Sequence, residues 1–297
     1  MKRMISMTII IVCSLVVIYV GSIFVLSFFY PRGYDKSMMS GRSIIGHRGG
    51  AGMGTENSLT CLKSGIESGA DMIEIDIHQS SDGTLVVCHD PTVNRTTDGK
   101  GTIAKMTYQE ISRLRIVNKQ GVRTSDHIAT FDEVLSLFEQ ERNNGRQIQL
   151  LVEIKYPYKH AYDGIEQRML DLIDTHNARN WVIVQSFADE VIEKVHQLAP
   201  TIRVEKLLIA KLPFLPYIID GLRLTHFSYE KYHYVASFNC YYRSLNHQLI
   251  KEIHQHGKKV KMWTLDGVDA PQMDIDGIIT DRPDLWCKER KQELLYP

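Results

Sequence analysis

The chain has no Cys-x-x-Cys pair: Cys13, Cys61, Cys88, Cys240 and Cys287 are scattered. That spacing excludes a zinc-finger site or a disulfide framework and leaves free buried thiols as the default, with room for one disulfide. Net charge is missing as well, since 35 basic residues balance 35 acidic ones. A neutral chain has no electrostatic pull on nucleic acid and none toward nonspecific adhesion to membranes. Internal repeats and a second domain are also absent.

What the sequence does have begins at its N-terminus, where Ile5 to Tyr30 holds no charged residue and is mostly Ile, Val, Leu and Phe. At a rise of ~1.5 Å per residue, a helix of that length covers more than the roughly 30 Å hydrocarbon core of a bilayer, and it exceeds the about 7–15 residues of a secretory h-region. The expectation is an uncleaved transmembrane signal anchor over 1–30, with Phe29 and Tyr30 as interfacial anchors. A short cytoplasmic N-terminus would put everything after Pro31 outside the membrane, although Arg32, Lys36 and Arg42 offset the positive charge of Lys2 and Arg3.

After a connector over 31–42, residues 43–297 are expected to form one large domain. Eight short apolar runs alternate with helical patterns: Ser43–Gly46, Met72–Ile77, Gln149–Ile154, Trp181–Gln185, Arg203–Leu207, Val235–Phe238, Val260–Leu265 and Gly277–Thr280. Helices fit over Ser58–Ser68, Phe131–Gln140, Ala161–His176, Asp189–Leu198, Leu245–His256 and after Pro283. Repeated βα units of this number predict an α/β fold, a TIM (β/α)8 barrel. The sixth run has polar and aromatic flanks, and Leu222–Tyr242 is rich in Tyr, Phe and His, which suits a pocket wall or a cover over the barrel. Residues 79–129 are too many for a βα loop and read as an insertion after the second strand. It opens with a hairpin about Asp82-Gly83 that would bring His89 opposite Glu74.

In such barrels the active site lies at the C-terminal ends of the strands. Six of the eight runs end in polar chemistry: His47-Arg48, Glu74 and Asp76, Glu153 and Lys155, Gln185-Ser186, Trp263-Thr264 and Thr280-Asp281. Glu74 and Asp76, at i and i+2 of a strand, point to one side. Histidines exchange protons near neutral pH, and an arginine grips two phosphate oxygens at once. Together these residues could hold a divalent metal against a phosphodiester. By contrast, His226, His233, His247, His254 and His256 lack paired carboxylates and read as surface or rim residues, and Lys258-Lys259-Lys261 reads as a solvated strand entry.

His47-Arg48-Gly49, Glu56-Asn57, Glu74-x-Asp76, His89-Asp90, Glu153-x-Lys155, Gln185-Ser186-Phe187, Val260-x-x-Trp263-Thr264 and Asp276-Gly277-Ile278-Ile279-Thr280-Asp281 resemble, in this order, the glycerophosphodiester phosphodiesterase family. The resemblance runs from about Ser43 to Pro283, and the anchor ahead of it resembles that of the membrane-attached members. Thr55 stands where a proline commonly precedes the Glu-Asn pair, and Leu265-Asp266 replaces the usual Val-Asn.

The resemblance implies Mg²⁺ or Ca²⁺ on the hard carboxylate oxygens of Glu74, Asp76 and Glu153. It implies attack by the 2-hydroxyl of the substrate glycerol and a cyclic phosphate opened by water. His47 would be the base and His89 the acid, or the reverse, each worth about 10²–10⁴-fold in rate. Arg48 and Lys155 would neutralise charge on the phosphate. Glu56 would contact metal or substrate, Asn57 would do the same or cap the next helix, and Trp263 would wall the glycerol or pack in the core. Asp90 and Asp281 fit orienting roles.

The implied partner is a small-molecule or lipid-derived glycerophosphodiester: a deacylated phospholipid head group, a lysophospholipid, or a polyglycerol-phosphate wall polymer of the teichoic-acid type. A phospholipase-like enzyme of the same barrel type, and a noncatalytic anchored module binding phosphorylated polymers, are the rival readings.

Overall fold

The computed structural model describes residues 41–156, 162–267 and 273–295. The expected membrane span, and the connector as far as residue 40, lie outside the described residues. Among the described residues no helix is long and apolar enough to cross a membrane.

Eight strands form a closed parallel barrel. They are β1 (Ser43–Gly46), β2 (Met72–Gln79), β4 (Gln149–Ile154), β5 (Val182–Ser186), β6 (Arg203–Leu208), β10 (Val235–Tyr241), β11 (Lys259–Trp263) and β12 (Gly277–Thr280). Their order is β1-β12-β11-β10-β6-β5-β4-β2, and pairing of β2 with β1 closes the ring. All eight coincide with the predicted runs to within a few residues, the polar-flanked sixth included.

Helices Leu59–Glu67, Phe131–Asn143, Ile165–Thr175, Asp189–Leu198, His247–Gln255 and Pro283–Leu295 follow β1, the insertion, β4, β5, β10 and β12. Their starts are set locally. Ser58 caps the first through Cys61 N–H, and Thr130 with Glu133 forms a capping box on the second. The cap on the first helix is therefore Ser58 and not Asn57.

Side chains alternate between the two sides of each strand. One set packs outward against the helices in a single large cluster that includes Ile75, Val152, Val184 and Val260. The other set fills the barrel. Ile45, Met72, Leu151, Ile183 and Ile279 form an apolar layer. Strand register sets Asp76, Glu153, Gln185 and Glu205 side by side on four consecutive strands.

This alternation corrects the reading of Lys261. Lys259 is exposed, but Lys261 points into the barrel, where it is buried and paired with both oxygens of Glu205 at 2.6 and 2.7 Å.

Residues beyond β2 form the expected elaboration. Strand β3 (Leu85–Val87) pairs antiparallel with β2, and Val86, Cys88, Val93, Ile103, Ile111, Ile116 and Ile128 make a small core of their own. The register differs from the expected one: Ile77 faces Val87 and His78 faces Val86, so His89 falls past the end of the ladder. The expected pairing of His89 with Glu74 is off by one, because a loop over Ser80–Thr84 sets the register.

A feature absent from the sequence reading follows β6. Strands β7 (Ala210–Lys211), β8 (Tyr217–Asp220) and β9 (Arg223–His226) form a separate antiparallel sheet. The buried Lys206 ammonium of β6 ties it to the barrel through Asp220 at 2.9 Å.

Candidate active site

The chain turns sharply where β1 ends. Arg48 adopts a left-handed backbone (φ 49°), and the helix Leu59–Glu67 lies so close behind that a Cβ on Gly65 would sit 2.2 Å from the Gly49 carbonyl oxygen. That turn aims the Arg48 N–H at Glu74 Oε2, 2.9 Å away, and lays its guanidinium against Glu56 Oε1 at 2.9 Å and Asp76 Oδ2 at 3.5 Å.

Glu74 and Asp76 on β2 and Glu153 on β4 offer carboxylate oxygens that lie within 4.8 Å of one another, and all three side chains are buried. Lys155 contacts two of them, at 2.8 Å from Asp76 Oδ1 and 2.7 Å from Glu153 Oε1. Asn57 donates to Asp76 Oδ2 at 2.8 Å. Gln185 donates to Glu74 Oε1 at 3.3 Å and is itself held by Asn239, which also binds Glu205. A polar relay thus runs from the site down to the Lys261–Glu205 pair.

Burial and the neighbouring Asp76 charge push the Glu74 carboxyl up to about 7. Glu153 is raised too, by burial outweighing the pull of Lys155. Asp76 shows the opposite: burial works against its charge, but Lys155 and Arg48 together hold it well below the usual range. Lys155, also buried, is kept charged by Asp76 and Glu153.

Three buried carboxylates against two cations leave negative charge in excess. The buried Asp76 Oδ1 has the Lys155 ammonium beside it yet no directed hydrogen bond. A donor set of three hard oxygens with one such atom fits a divalent cation of the Mg²⁺ or Ca²⁺ type.

Both histidines flank this cluster and are steered through Nδ1. His47 meets Asp281 Oδ1 at 2.6 Å, and His89 meets Asp90 Oδ1 at 2.8 Å. Their environments differ. Burial disfavours the charged form of His47, but Asp281 and Glu74 outweigh it and raise its pKa. Burial and the Lys155 charge lower that of His89.

His89 lines a cleft of about 330 Å³ with Glu153, Lys155, Tyr156, Phe187, Leu222 and Arg223. Trp263 lies behind this wall: its ring meets Phe187 edge-on with centroids 5.8 Å apart, and its N–H donates to the Asn239 carbonyl.

Glu56 is engaged by two arginines. Arg95 bridges it to Asp90, with contacts of 2.7 and 2.8 Å on Glu56 and 2.7 and 3.0 Å on Asp90. The sequence reading missed Arg95, which sits in the insertion without a motif around it; its one local signal is its place five residues after Asp90.

It also missed His78. This buried ring contacts the Tyr162 hydroxyl at 2.6 Å and the His89 carbonyl at 3.1 Å, and burial lowers its pKa to about 4. A neutral His78 accepts from Tyr162 and donates to the His89 backbone, bracing the strand end that carries the second site histidine.

The glycerophosphoryl diester phosphodiesterase family model matches residues 47–285. A glycerophosphodiester phosphodiesterase of Caldanaerobacter subterraneus subsp. tengcongensis is 31% identical over 246 residues, covering 81% of this chain and 94% of that protein. One of Bacillus subtilis is 28% identical, covering 83% and 86%. Among solved structures, an Oleispira antarctica phosphodiesterase in complex with the product sn-glycerol-3-phosphate superposes with a TM-score of 0.68 at 22% identity, over 84% of this chain and 96% of that one. That likeness shows a common fold. The family match over most of the chain, on the same strands that carry the carboxylates and histidines, shows that the chain belongs to the glycerophosphoryl diester phosphodiesterase family.

Proposed function

We propose that this chain hydrolyses glycerophosphodiesters to sn-glycerol-3-phosphate and an alcohol by metal-dependent proton exchange between two histidines. The observation that carries the reading is the buried Glu74–Asp76–Glu153 cluster flanked by His47 and His89, each held by a carboxylate at Nδ1. The related Oleispira antarctica protein, with its bound product, supports the glycerol-phosphate half of the substrate.

Glu74, Asp76 and Glu153 would hold Mg²⁺ or Ca²⁺, which when bound supplies positive charge to a phosphoryl oxygen. The remaining steps belong to the chain's own groups. Arg48 and Lys155, fixed by Glu56, Asp76 and Glu153, present cations to the phosphate.

A carboxylate at Nδ1 makes that nitrogen the proton-bearing one and turns Nε2 toward the reaction. His47 takes the proton of the attacking 2-hydroxyl and His89 gives one to the leaving alcohol, which leaves a cyclic phosphate. Water then opens it, giving its proton to His89 while His47 returns one to the 2-oxygen, so that sn-glycerol-3-phosphate leaves and both histidines are restored. Glu74 favours the charged form of His47, so a cation held by Glu74 would favour the neutral form that a base requires.

The apolar Ile5–Tyr30 run supports a single-pass membrane protein with its catalytic region on the extracytoplasmic side.

Release of sn-glycerol-3-phosphate from a panel of glycerophosphodiesters, with Mg²⁺ or Ca²⁺ and then with chelator, tests the reading. Release that chelator abolishes supports it. No release from any soluble diester with either metal would refute it and turn attention to intact lysolipids and wall polymers.

A further inference from the structure

Nine large apolar side chains are exposed among the described residues, and five of them fall within one short stretch: Phe214 (96%), Leu215 (49%), Tyr217 (37%), Leu222 (85%) and Leu224 (61%). All five belong to the β7–β9 sheet or its turns. Chance exposure scatters singly, whereas a contiguous patch marks a surface that something covers.

The sheet is held firmly beneath this patch. Ile218 is fully buried on its inner side, and Asp220 joins the Lys206 ammonium of β6 at 2.9 Å. The apolar face is therefore carried at a fixed place on the barrel. That place adjoins the active site, because Leu222 and Arg223 line the cleft together with His89, Glu153 and Lys155.

We propose that the β7–β9 sheet lays its outer apolar face, Tyr217 and Leu224 between the turns that carry Phe214 and Leu222, on a lipid bilayer and holds the mouth of the active-site cleft at the lipid surface.

Three observations favour a bilayer over a protein partner. Within 209–226 the charged side chains are Lys211, Asp220 and Arg223, each paired, with Glu252, Lys206 and Glu190, so the apolar surface carries no unpaired charge that a bilayer would have to desolvate. Exposed apolar side chains of this kind bury into the boundary between head groups and acyl chains. The uncharged Ile5–Tyr30 run is long enough to bring a bilayer to this chain, and the ten residues 31–40 that separate it from the buried Arg42 region reach at most about 35 Å. Finally, a protein seated on Leu222 would cover the cleft mouth, whereas a lipid surface can itself present phosphodiesters there.

The proposal extends the hydrolase reading, but its test does not depend on turnover. Full-length protein with Cys13→Ser would be reconstituted in phosphatidylcholine–phosphatidylglycerol vesicles, carrying an environment-sensitive fluorophore on Phe214→Cys, on Leu222→Cys, or on the exposed helix position Gln292→Cys. The four cysteines at 61, 88, 240 and 287 are buried, so labelling is confined to the new site. Lipid-borne nitroxides should quench the labels at 214 and 222 about twofold, with blue-shifted emission, while the label at 292 stays unaffected. Unquenched, unshifted emission at 214 and 222 would overturn the proposal by leaving the face in water. Blue-shifted but unquenched emission would overturn it by showing that a second copy, or the chain's own apolar run, covers the face. Equal quenching at all three positions would overturn it by removing any preferred face.

Discussion

The Asp281 carboxylate lies 2.6 Å from Nδ1 of His47, although 234 residues separate them. Closure of the barrel makes this possible: Gly46 at the end of β1 sits in register beside Thr280 at the end of β12. A histidine held this way has a fixed tautomer and ring orientation, and its charged form is favoured.

Asp281→Asn removes the first charge that raises His47, so the His47 pKa falls and the limb of the kcat/KM profile that it governs moves to lower pH. Loss of the orienting carboxylate should also lower kcat by about 10–100-fold. A pH series on wild type and variant measures both effects; an unmoved limb would mean that His47 does not titrate in catalysis.

Glu74 carries a raised pKa, so between its unfolded value and about 7 the native state binds more protons than the unfolded chain. Stability of the metal-free protein should therefore fall as pH rises through that window. Glu74→Gln should flatten the dependence. Added Mg²⁺ or Ca²⁺ should raise the melting temperature more at pH 8 than at pH 5, because binding needs deprotonated ligands. Thermal melts in chelator and in metal across this range measure both.

Arg95→Ala leaves Glu56 and Asp90 without their shared clamp. Arg95 is about half exposed, so solvent screens these contacts and the fold should survive their loss, while the freer Glu56 and Asp90 position Arg48 and His89 less well and kcat should fall by about tenfold. Circular dichroism beside steady-state kinetics separates the two. Unchanged kcat would make the clamp a surface feature.

Lys261→Ala strands Glu205 in the barrel interior, where both partners are more than nine-tenths buried. Breaking one half of such a pair costs about 3–5 kcal/mol. Urea unfolding should show that loss, and the double variant Lys261→Met with Glu205→Gln should recover part of it.

The eight barrel strands were legible because each is a short apolar run whose neighbours pack against helices. Glu74 and Asp76 were legible because spacing along a strand fixes which side they face, and Glu153 because it ends a strand and matches the family motif. Lys261 was misread because a lysine in a basic run resembles a solvated one; only closure of the barrel turns alternate positions of β11 inward. The β7–β9 sheet escaped notice since Phe214, Leu222 and Leu224 break the rule that apolar runs are buried. Arg95 and His78 act through partners that lie 5 to 84 residues away, and no local pattern announces such contacts. The register of His89 depended on a turn whose length the dipeptide Asp82-Gly83 does not determine.

Single-turnover hydrolysis of a glycerophosphodiester by wild type, His47→Ala, His89→Ala and the double variant, at saturating metal, tests the two-histidine assignment most directly. Each single variant should lose about 10²–10⁴-fold, and the double variant should lose little more than the worse single one, because groups that act as a unit are not additive. Wild-type rates in either single variant would contradict the assignment of that histidine and, with it, the proton exchange proposed for this site.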